Sequence, residues 1–458
     1  MNRQFDLIVL GSGSGARDGA NKARQEYGAD VALVENTRWG GSCPNVACKP
    51  TKAYIVAADY VHDLNTFVPK LGIEVGPARA NLARVKARKD SLIVSKETWI
   101  ERVQSAGHTP FDGVGRFDDP QTIEVNGDRI SAERILVATG SRTAVPPIDG
   151  LDEVGWIDHV SALELTELPE SLLVLGGGPV GLEFAQMFSR FGSRVVLVQQ
   201  QDRISPRSDA TATDELTAAL AEEGIEIRTG VTVSRLRREG GEIVASVGGD
   251  ELRVAQILLA AGRLPNVEQL ELERAGIERT QAGIAVDDQL RTSVDGIWAA
   301  GDVTGTSQFT PVAQYEARVA VESMFGGNGA RAEHEFLPTV IFTDPELAAV
   351  GLTEEEAQSR GLEYESAVHP IKYVQRASYT DTKRGLYKVV WERGSRRLLG
   401  IHVLTRGAGD IVQGFGLAMK LGATVDDVAG MHHAFPTFAE GLKAAAEQAS
   451  TAEAAAPA

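Results

Sequence analysis

The sequence predicts an α/β fold in which one strand–loop–helix–strand unit occurs twice. The first copy begins with the apolar run at 5–10 and passes through a glycine-rich loop into a helix that extends to about Tyr27. The second has its strand at 172–175, its glycine-rich loop at 176–181 and a helix that starts at Glu183. Short apolar strands that stop at glycine are typical of buried parallel sheets. Two parallel-sheet domains are therefore expected.

Length and charge limit the classes of function. At 458 residues the chain exceeds what one hydrophobic core supports, so about three domains are expected. The net charge of −17 argues against nucleic acid and anionic membranes as partners. No apolar run approaches the ~20 residues of a membrane helix, and the run at 5–10 is too short for a signal-peptide core. We therefore expect a cytoplasmic location, with neither nucleic acid nor membrane as partner.

Each glycine-rich loop opens a helix directly after a strand. Spaced glycines let the backbone approach a pyrophosphate at a helix N-terminus, where the helix dipole favours an anion. Glu35, at the end of the next strand, can accept a hydrogen bond from a ribose hydroxyl. Because the pattern occurs twice, the sequence predicts two bound dinucleotides, most simply a flavin and a nicotinamide cofactor. The predicted contacts are Gly11, Gly13, Ser14, Gly15 and Ala16 in the first loop and Gly176, Gly178, Val180 and Gly181 in the second.

The second copy lacks an acid at its ribose position. Gln199 stands there, and Arg203 and Arg207 follow. A carboxylate would repel the 2′-phosphate of NADPH, whereas glutamine tolerates it and arginine attracts it. NADPH is therefore the favoured reductant, with NADH as the alternative if both arginines are ordinary surface residues.

Both cysteines of the chain, Cys43 and Cys48, lie in the stretch 40–52. A disulfide between them closes so small a ring that it removes little entropy from the unfolded chain and stabilises the fold weakly. Structural zinc normally takes four ligands, and no further cysteine or paired histidine is near in sequence. In a cytoplasmic protein such a pair is usually catalytic. A redox-active dithiol is the favoured interpretation, and a structural disulfide or a metal site is the alternative.

These motifs together resemble the flavoprotein disulfide reductases, the family that holds glutathione reductase, dihydrolipoamide dehydrogenase and mercuric reductase. The resemblance extends from Leu7 to about Ala446. It rests on GSGSGA at 11–16, GGSCPNVACKPTK at 40–52, ATG at 138–140, AAGRLPN at 260–266, GIWAAGD at 296–302, TPVA at 310–313 and FTDPELAAVGLTEEEA at 342–357.

The resemblance implies an α/β homodimer with two Rossmann-like domains, which bind FAD and NAD(P)H, and an α+β C-terminal dimerisation domain. No resident metal is implied. The expected domains are 1–147 for FAD and the dithiol, 148–266 for NAD(P), 267–334 as a central segment that completes the FAD site, and 335–458 as the dimer interface.

The resemblance also implies roles for single residues. Cys48 would face the flavin and Cys43 the substrate, while Lys52 would pair with Glu183 beside the flavin. Lys52 lies four residues after Cys48, hence on the same helix face, and the helix N-terminus is expected to lower the pKa of Cys48. Further cofactor contacts are expected from Glu35, Gly41, Ser42, Lys52, Thr139, Gly140, Gln199, Arg203, Gly262, Gly301 and Asp302.

The C-terminal motif departs from the family. Its members end in His-Pro-Thr followed by Glu, and that histidine is the acid/base from the partner subunit. Here Phe435 stands at the histidine position, while Glu440 is kept. Phenylalanine cannot transfer a proton, and the ring of His433, two residues away, is expected to point elsewhere. Reduction of an ordinary small disulfide is therefore in doubt, because its leaving thiolate needs that proton.

Two branches of the family have an aromatic residue at this place. Mercuric reductases have Tyr there, but they pass their metal through a cysteine pair near the C-terminus, which this sequence lacks. The 2-oxopropyl-thioether reductase/carboxylase branch has Phe, but it has His where this chain has Glu440.

We therefore expect electrons to pass from NADPH through FAD and the Cys43–Cys48 pair to an electrophilic acceptor, either a soft metal ion or a thioether-type substrate. A low-molecular-weight disulfide reductase is the second interpretation. A redox-sensing or scaffolding flavoprotein with little turnover is the third, and the presence of Lys52, Glu183 and both cysteines weighs against it.

Overall fold

The computed structural model describes residues 2–306 and 308–454. Its strands are β1 (Asn2–Phe5), β2 (Leu7–Leu10), β3 (Val31–Glu35), β4 (Thr109–Asp112), β5 (Gly115–Asp119), β6 (Thr122–Val125), β7 (Asp128–Ala132), β8 (Ile135–Val137), β9 (Ser141–Thr143), β10 (Ser171–Leu175), β11 (Arg194–Val198), β12 (Glu226–Arg228), β13 (Val233–Glu239), β14 (Glu242–Val247), β15 (Asp250–Val254), β16 (Gln256–Leu259), β17 (Arg263–Pro265), β18 (Ile297–Ala299), β19 (Thr339–Ile341), β20 (Glu346–Gly351), β21 (Tyr364–Pro370), β22 (Leu386–Glu392) and β23 (Leu398–Thr405).

Its α-helices are α1 (Ser14–Tyr27), α2 (Ser42–Asn45), α3 (Cys48–Thr66), α4 (Leu82–Ser91), α5 (Lys96–Ser105), α6 (Leu151–Val154), α7 (His159–Ala162), α8 (Pro179–Phe191), α9 (Ala210–Glu222), α10 (Leu272–Ala275), α11 (Thr310–Val321), α12 (Glu354–Ser359), α13 (Gln375–Tyr379), α14 (Ala408–Lys420), α15 (Val425–Gly430) and α16 (Glu440–Ala454). Short 3₁₀ helices lie at Val68–Leu71, Gly301–Thr304 and Ile371–Tyr373, and a π-helical turn lies at Glu322–Gly326.

The chain forms two compact units. Unit one comprises the residues up to Ala53, Lys86–Ala144 and Gly262–His334. Unit two comprises Tyr54–Val85, Val145–Ala261 and the residues from Glu335 onward. None of the helices within 2–306 and 308–454 combines the length and apolar character that crossing a bilayer requires.

Unit one is built on a parallel sheet with the strand order β18-β8-β2-β3-β4. Every residue of β2, β8 and β18 is buried, which explains their continuous apolar runs. Because the strands are parallel, the loops that follow β2, β8 and β18 leave the same edge of the sheet. Those loops hold the motifs at 11–16, 138–140 and 300–302, so the sheet brings together residues that are far apart in sequence.

Unit two contains a second parallel sheet and two antiparallel sheets. The parallel sheet has the order β12-β11-β10-β16, and the motif at 176–181 follows β10. Strands β13, β14 and β15 form an antiparallel meander. The C-terminal sheet β19-β20-β23-β22-β21 is antiparallel and packs against α14 and α16. The mixed α/β class expected from the sequence is confirmed.

The two glycine-rich loops have the same backbone geometry. Gly11 has φ +112° and Gly176 has φ +111°, and a Cβ at either would lie 2.3 Å from a backbone carbonyl oxygen. Gly13 and Gly178 cap their helices with extended backbone, and neither helix has a side-chain cap at its N-terminus. The duplication inferred from the sequence is therefore present in three dimensions.

Two elements differ from the sequence-based expectation. The run at 5–10 is divided into β1 and β2 at Asp6, whose carboxylate accepts a hydrogen bond from the backbone N–H of Asp30 at 2.8 Å. Helix α8 begins at Pro179 rather than at Glu183. Proline suits the first turn of a helix because its missing N–H has no partner there and its φ is already helical.

Candidate functional site

The two cysteines lie on consecutive helical segments of unit one. Cys43 is in the single turn α2, and Cys48 is the first residue of α3. Both are half-buried and are free thiols. The Sγ atom of Cys48 lies 3.5 Å from Oγ1 of Thr310, the first residue of α11. Thr310 is not among the site residues predicted from sequence, although the TPVA motif that it begins is a mark of the family resemblance.

The two thiols share a hydrogen bond and titrate as a pair. The bond from the Cys48 thiol lowers the pKa of Cys43 to about 6, and Thr310, Lys52 and Arg17 act in the same direction. The same bond raises the pKa of Cys48, and burial of this sulfur adds to the rise. The expectation of a lowered pKa for Cys48 is therefore wrong for the dithiol state, because Cys48 is the donor and the more buried sulfur. The shared hydrogen bond and the difference in burial thus favour the thiolate on Cys43 over the thiolate on Cys48.

Asn45 holds the shape of the dithiol loop. Its Nδ2 donates to the carbonyl oxygens of Trp39 at 2.9 Å and Gly41 at 2.7 Å, and its Oδ1 accepts a hydrogen bond from Nε1 of Trp99 at 3.2 Å. A Cβ at Gly41, which has φ +78°, would lie 2.4 Å from the Cα of Gly13. The dithiol loop is thus packed directly on the first glycine-rich loop, and Asn45 is a positioning residue that the sequence pattern does not reveal.

Each glycine-rich loop donates hydrogen bonds to a side chain near the end of the following strand. In unit one, Oε2 of Glu35 accepts hydrogen bonds from the backbone N–H of Ser12 at 3.1 Å and from its hydroxyl at 2.8 Å. In unit two, Oε1 of Gln199 accepts a hydrogen bond from the backbone N–H of Gly177 at 2.9 Å. A carboxylate makes this bond in one unit and a neutral amide makes it in the other. Because the amide carries no charge, it leaves the second loop compatible with a 2′-phosphate.

Of the two arginines after Gln199, one forms an ion pair within the chain and the other is exposed. Both Nη atoms of Arg203 donate to the Glu355 carboxylate at 2.5 Å, and this bond raises the pKa of Arg203. Arg207 is exposed, and its guanidinium forms no ion pair within the part of the chain that the structure describes. Arg207 is therefore the more exposed of the two cations and Arg203 the one that is already paired.

A cluster of hydrogen-bonded polar side chains lies at the carboxyl edge of the unit-one sheet. The Ser141 hydroxyl donates a short hydrogen bond to the Asp302 carboxylate and accepts one from Nε of Arg263 at 2.7 Å. Oγ1 of Thr139 donates to the backbone oxygen of Asn266 at 2.7 Å. The structure thus places the predicted residues Thr139 and Asp302 at one edge and adds Ser141 and Arg263, whose partners are more than 100 positions away in sequence.

The residues at these loops fit two dinucleotides. The N-termini of α1 and α8 keep backbone N–H groups without side-chain caps, which is the arrangement that binds a pyrophosphate. At Gly178 nothing lies within 4 Å of an added Cβ, so the second loop leaves room for a ligand. In unit one Glu35 and Asp302 supply the acceptors that a ribose and a ribityl chain need. The first site would hold FAD and the second NAD(P)H.

The predicted Lys52 and Glu183 lie on two different helices. Lys52 is half-buried on α3, one turn after Cys48, as the sequence spacing predicts. Glu183 lies on α8 with 7% of its surface exposed, and its Oε1 accepts a hydrogen bond from the backbone N–H of Phe342 at 3.0 Å.

The C-terminal motif presents Phe435 on the surface of the chain. This side chain is 74% exposed, an unusual state for a phenylalanine. Oε1 of Glu440, the first residue of α16, accepts a hydrogen bond from the backbone N–H of Gln375 at 2.9 Å. Burial lowers the pKa of His433, and its Nε2 has no hydrogen-bond partner among the described residues. Burial therefore disfavours the imidazolium form of His433, which is the form that a general acid needs.

Comparison with known proteins assigns the family. The pyridine nucleotide-disulphide oxidoreductase model matches residues 5–317, and the dimerisation-domain model of the same family matches residues 337–446. The chain belongs to the pyridine nucleotide-disulphide oxidoreductase family. Enzymes of this family use FAD and NAD(P)H, and the dimerisation domain supports a homodimer.

Several relatives match nearly the whole chain. The mercuric reductase of Staphylococcus aureus is 36% identical over 96% of this chain and 82% of its own length, and that of Streptomyces lividans is 36% identical over 97% and 96%. The dihydrolipoyl dehydrogenase of Thermus scotoductus is 36% identical over 97% of both chains.

A solved structure also aligns with the chain. It is the Cu(II) complex of the HOCl-induced flavoprotein disulfide reductase RclA from Escherichia coli, with a TM-score of 0.86, 27% identity, and 98% of this chain and all of that chain covered. The protein is therefore an FAD- and NAD(P)H-dependent oxidoreductase of a family that acts on disulfides or metal ions.

Proposed function

We propose that this enzyme reduces an electrophilic acceptor through FAD and the Cys43–Cys48 dithiol, and that a soft metal ion is its preferred acceptor. The observation that carries the proposal is Phe435, which cannot move a proton at the position of the family's acid/base. Reduction of a small disulfide releases a thiolate that needs a proton, whereas reduction of a bound metal ion does not. The proposal includes a cytoplasmic homodimer in which segment 432–440 of one copy serves the dithiol of the other.

The chemistry of the dithiol supports a metal acceptor. The hydrogen bond from Cys48 lowers the pKa of Cys43 to about 6, which favours the Cys43 thiolate near neutral pH. Thiolates are the ligands that soft metal ions prefer. FAD, when bound, supplies the two-electron transfer between NAD(P)H and the sulfur pair. Thr310 and Lys52, which favour the charged sulfur, would hold the thiolate in place between turnovers.

The similar proteins also support a metal ion as the acceptor, and they support a small disulfide as the second candidate. The similar mercuric reductases and the Cu(II) complex of RclA both involve metal ions. Similarity to a dihydrolipoyl dehydrogenase favours a low-molecular-weight disulfide reductase as the second candidate. A thioether-type acceptor is a weaker candidate, because Glu440 stands where that branch has His.

An acceptor panel tests the proposal. Purified FAD-bound protein with NADPH is expected to turn over with Hg²⁺ or Cu²⁺ and to reduce glutathione disulfide or lipoamide about 10²–10⁴-fold more slowly, the usual value of general acid catalysis. NADPH oxidation and loss of the metal ion from solution are the measurements. Faster turnover with a disulfide would select the second candidate, and no turnover with any acceptor would indicate a redox-sensing or scaffolding flavoprotein.

The nucleotide preference is tested with Gln199→Glu. Wild type is expected to favour NADPH over NADH in kcat/KM, and Gln199→Glu is expected to reduce that ratio by about tenfold or more, or ~1.4 kcal/mol of transition-state binding. Glutamate keeps the acceptor for the Gly177 N–H, adds a charge and loses the amide donor to Oε1 of Gln201. Arg207→Gln should weaken NADPH binding more than Arg203→Gln, because Glu355 already occupies Arg203. A tenfold preference of wild type for NADH would contradict the assignment.

A further inference from the structure

Three polar side chains line one face of helix α8 in unit two. Glu183, Gln186 and Arg190 follow one another at spacings of three and four residues, which places them on the same side of the helix. Only 7%, 4% and 9% of these residues is exposed. Polar side chains buried to this degree are retained when they have specific partners.

All three bind the segment 342–344, which follows β19. Glu183 accepts the N–H of Phe342 at 3.0 Å. Gln186 accepts the N–H of Asp344 at 2.8 Å with Oε1 and donates to its backbone oxygen at 2.7 Å with Nε2. Nη2 of Arg190 donates to the Asp344 carboxylate at 3.0 Å. Segment 342–344 is thus attached to α8 at three successive points.

Arg190 connects this attachment to two further elements. Its Nη1 donates to Asp59 on α3 at 2.6 Å, and its Nε and Nη2 donate to Glu223, just after α9, at 2.8 and 2.6 Å. Arg406 also pairs with Asp344, at 2.8 Å, and with Asp63 on α3, at 2.7 Å.

The cluster of Arg190 and Arg406 with Asp59, Asp63, Glu223 and Asp344 contains more acids than cations. Four carboxylates share two guanidinium groups, and burial, with the nearby charge of Asp344, raises the pKa of Asp59 to about 6. Loss of Arg190 would therefore leave buried carboxylates without compensation and release segment 342–344.

The same groups lie together in unit two. Asp59, Glu183, Gln186, Arg190 and Phe342, among others, surround a gap that is too small to hold a water molecule. Glu183 is at one end of the polar row on α8 and Arg190 is at the other. The position of the Glu183 carboxylate therefore depends on a backbone N–H whose own position depends on Gln186 and Arg190.

We infer that Gln186 and Arg190 are positioning residues for Glu183: they hold segment 342–344 against α8 and thereby fix the Phe342 N–H that orients the Glu183 carboxylate. The inference rests on the proposed function and on the role beside the flavin that the family resemblance implies for Glu183. A misplacement of about 1 Å at such a group can cost up to 10²-fold in rate.

The test compares three variants of the FAD-bound protein. Gln186→Leu removes the bonds to Asp344 and the bond from Nε2 to Glu223 without removing a charge. Glu183→Gln removes the carboxylate, and the third variant combines both changes. The measurements are the rate of flavin reduction by NADPH across pH, the flavin midpoint potential and the melting temperature.

Gln186→Leu is expected to slow flavin reduction by about 10–100-fold and to shift the midpoint potential in the same direction as Glu183→Gln. The double variant should show no further shift, because both changes act through one carboxylate. Arg190→Lys keeps the charge but loses the fork geometry and should show a smaller effect of the same kind. Arg384→Gln is the matched control, since Arg384 pairs with Glu215 and Glu222 and contacts neither α8 nor segment 342–344.

Additive shifts in the double variant, or a lowered melting temperature of Gln186→Leu with the wild-type potential and pH profile, would overturn the inference. Wild-type flavin reduction in Glu183→Gln would contradict the role given to Glu183, and the inference with it. The flavin measurements need no electron acceptor, so a failure of the acceptor panel leaves this test intact.

Discussion

Replacing Cys43 with serine is expected to lower acceptor reduction by about 10⁴–10⁶-fold, the range observed when an enzyme loses its nucleophile. The hydrogen bond from Cys48 favours the thiolate on Cys43, and a serine hydroxyl is neither a soft ligand nor an anion at pH 7. NADPH should still reduce the flavin, because no residue of the second nucleotide site changes. Steady-state turnover with the best acceptor and the rate of flavin reduction measure the two effects separately.

The pH dependence of alkylation identifies the charged sulfur. The sequence has only two cysteines, so iodoacetamide reports on this pair alone. In the reduced protein the alkylation rate should rise as pH increases through about 6, since the thiolate forms there. Cys48→Ala removes the hydrogen-bond donor and should move that rise towards the ordinary pKa of a thiol. A rise that remains near 6 in Cys48→Ala, or full acceptor reduction by Cys43→Ser, would contradict the assignment.

Replacing Phe435 with histidine is expected to raise disulfide reduction, up to the about 10²–10⁴-fold that general acid catalysis contributes. The imidazole would stand where the family's acid/base stands, with Glu440 five residues later in the sequence. The gain will be below that limit if Glu440 stays bound to the Gln375 N–H, because the imidazole then lacks its orienting partner. Turnover with glutathione disulfide and with lipoamide is the measurement.

The pH profile separates a catalytic histidine from a general loosening of the site. As an acid, the new imidazole must be protonated, so its contribution should be present below its pKa, near 6.5, and be lost as pH rises through that value. Phe435→Leu, which removes the ring without adding a proton donor, should gain no such titration. High disulfide turnover by the wild type, with a titration near neutral pH, would mean that another group supplies the proton. His433 would then be the first residue to replace, although burial lowers its pKa.

The fold could be predicted because its signals are local. Both glycine-rich loops follow apolar strands and begin helices, and Gly11 and Gly176 have left-handed backbone that a side chain would strain. The position of Lys52 relative to Cys48 depends only on helical spacing, so it too followed from the sequence. The boundaries were less predictable, since the break at Asp6 depends on a contact with Asp30, the residue just before β3.

The sequence indicated candidate residues for the site, but it did not indicate which of them contact one another. The sequence pattern selects Glu35, Gln199 and Asp302 by position. It does not show that Ser141 and Arg263 surround Asp302, because those contacts form only when β8, β9, β17 and β18 meet at one end of unit one. Asn45 was missed for the same reason, since the hydrogen bonds of its side-chain amide with Trp39 and Trp99 form only in the folded loop.

The sequence by itself determined the repeated nucleotide-binding unit, the dithiol and the replacement of the family's histidine by Phe435. These features depend on residue type and on spacing along the chain. Only the tertiary structure decided which sulfur has the lowered pKa, which arginine is paired and which backbone N–H the Glu183 carboxylate accepts. Those properties depend on burial and on ion pairs between residues distant in sequence, such as Arg203 with Glu355 and Arg190 with Asp59 and Asp344. The free energy of a charge is set by its surroundings, and the surroundings exist only in the folded protein.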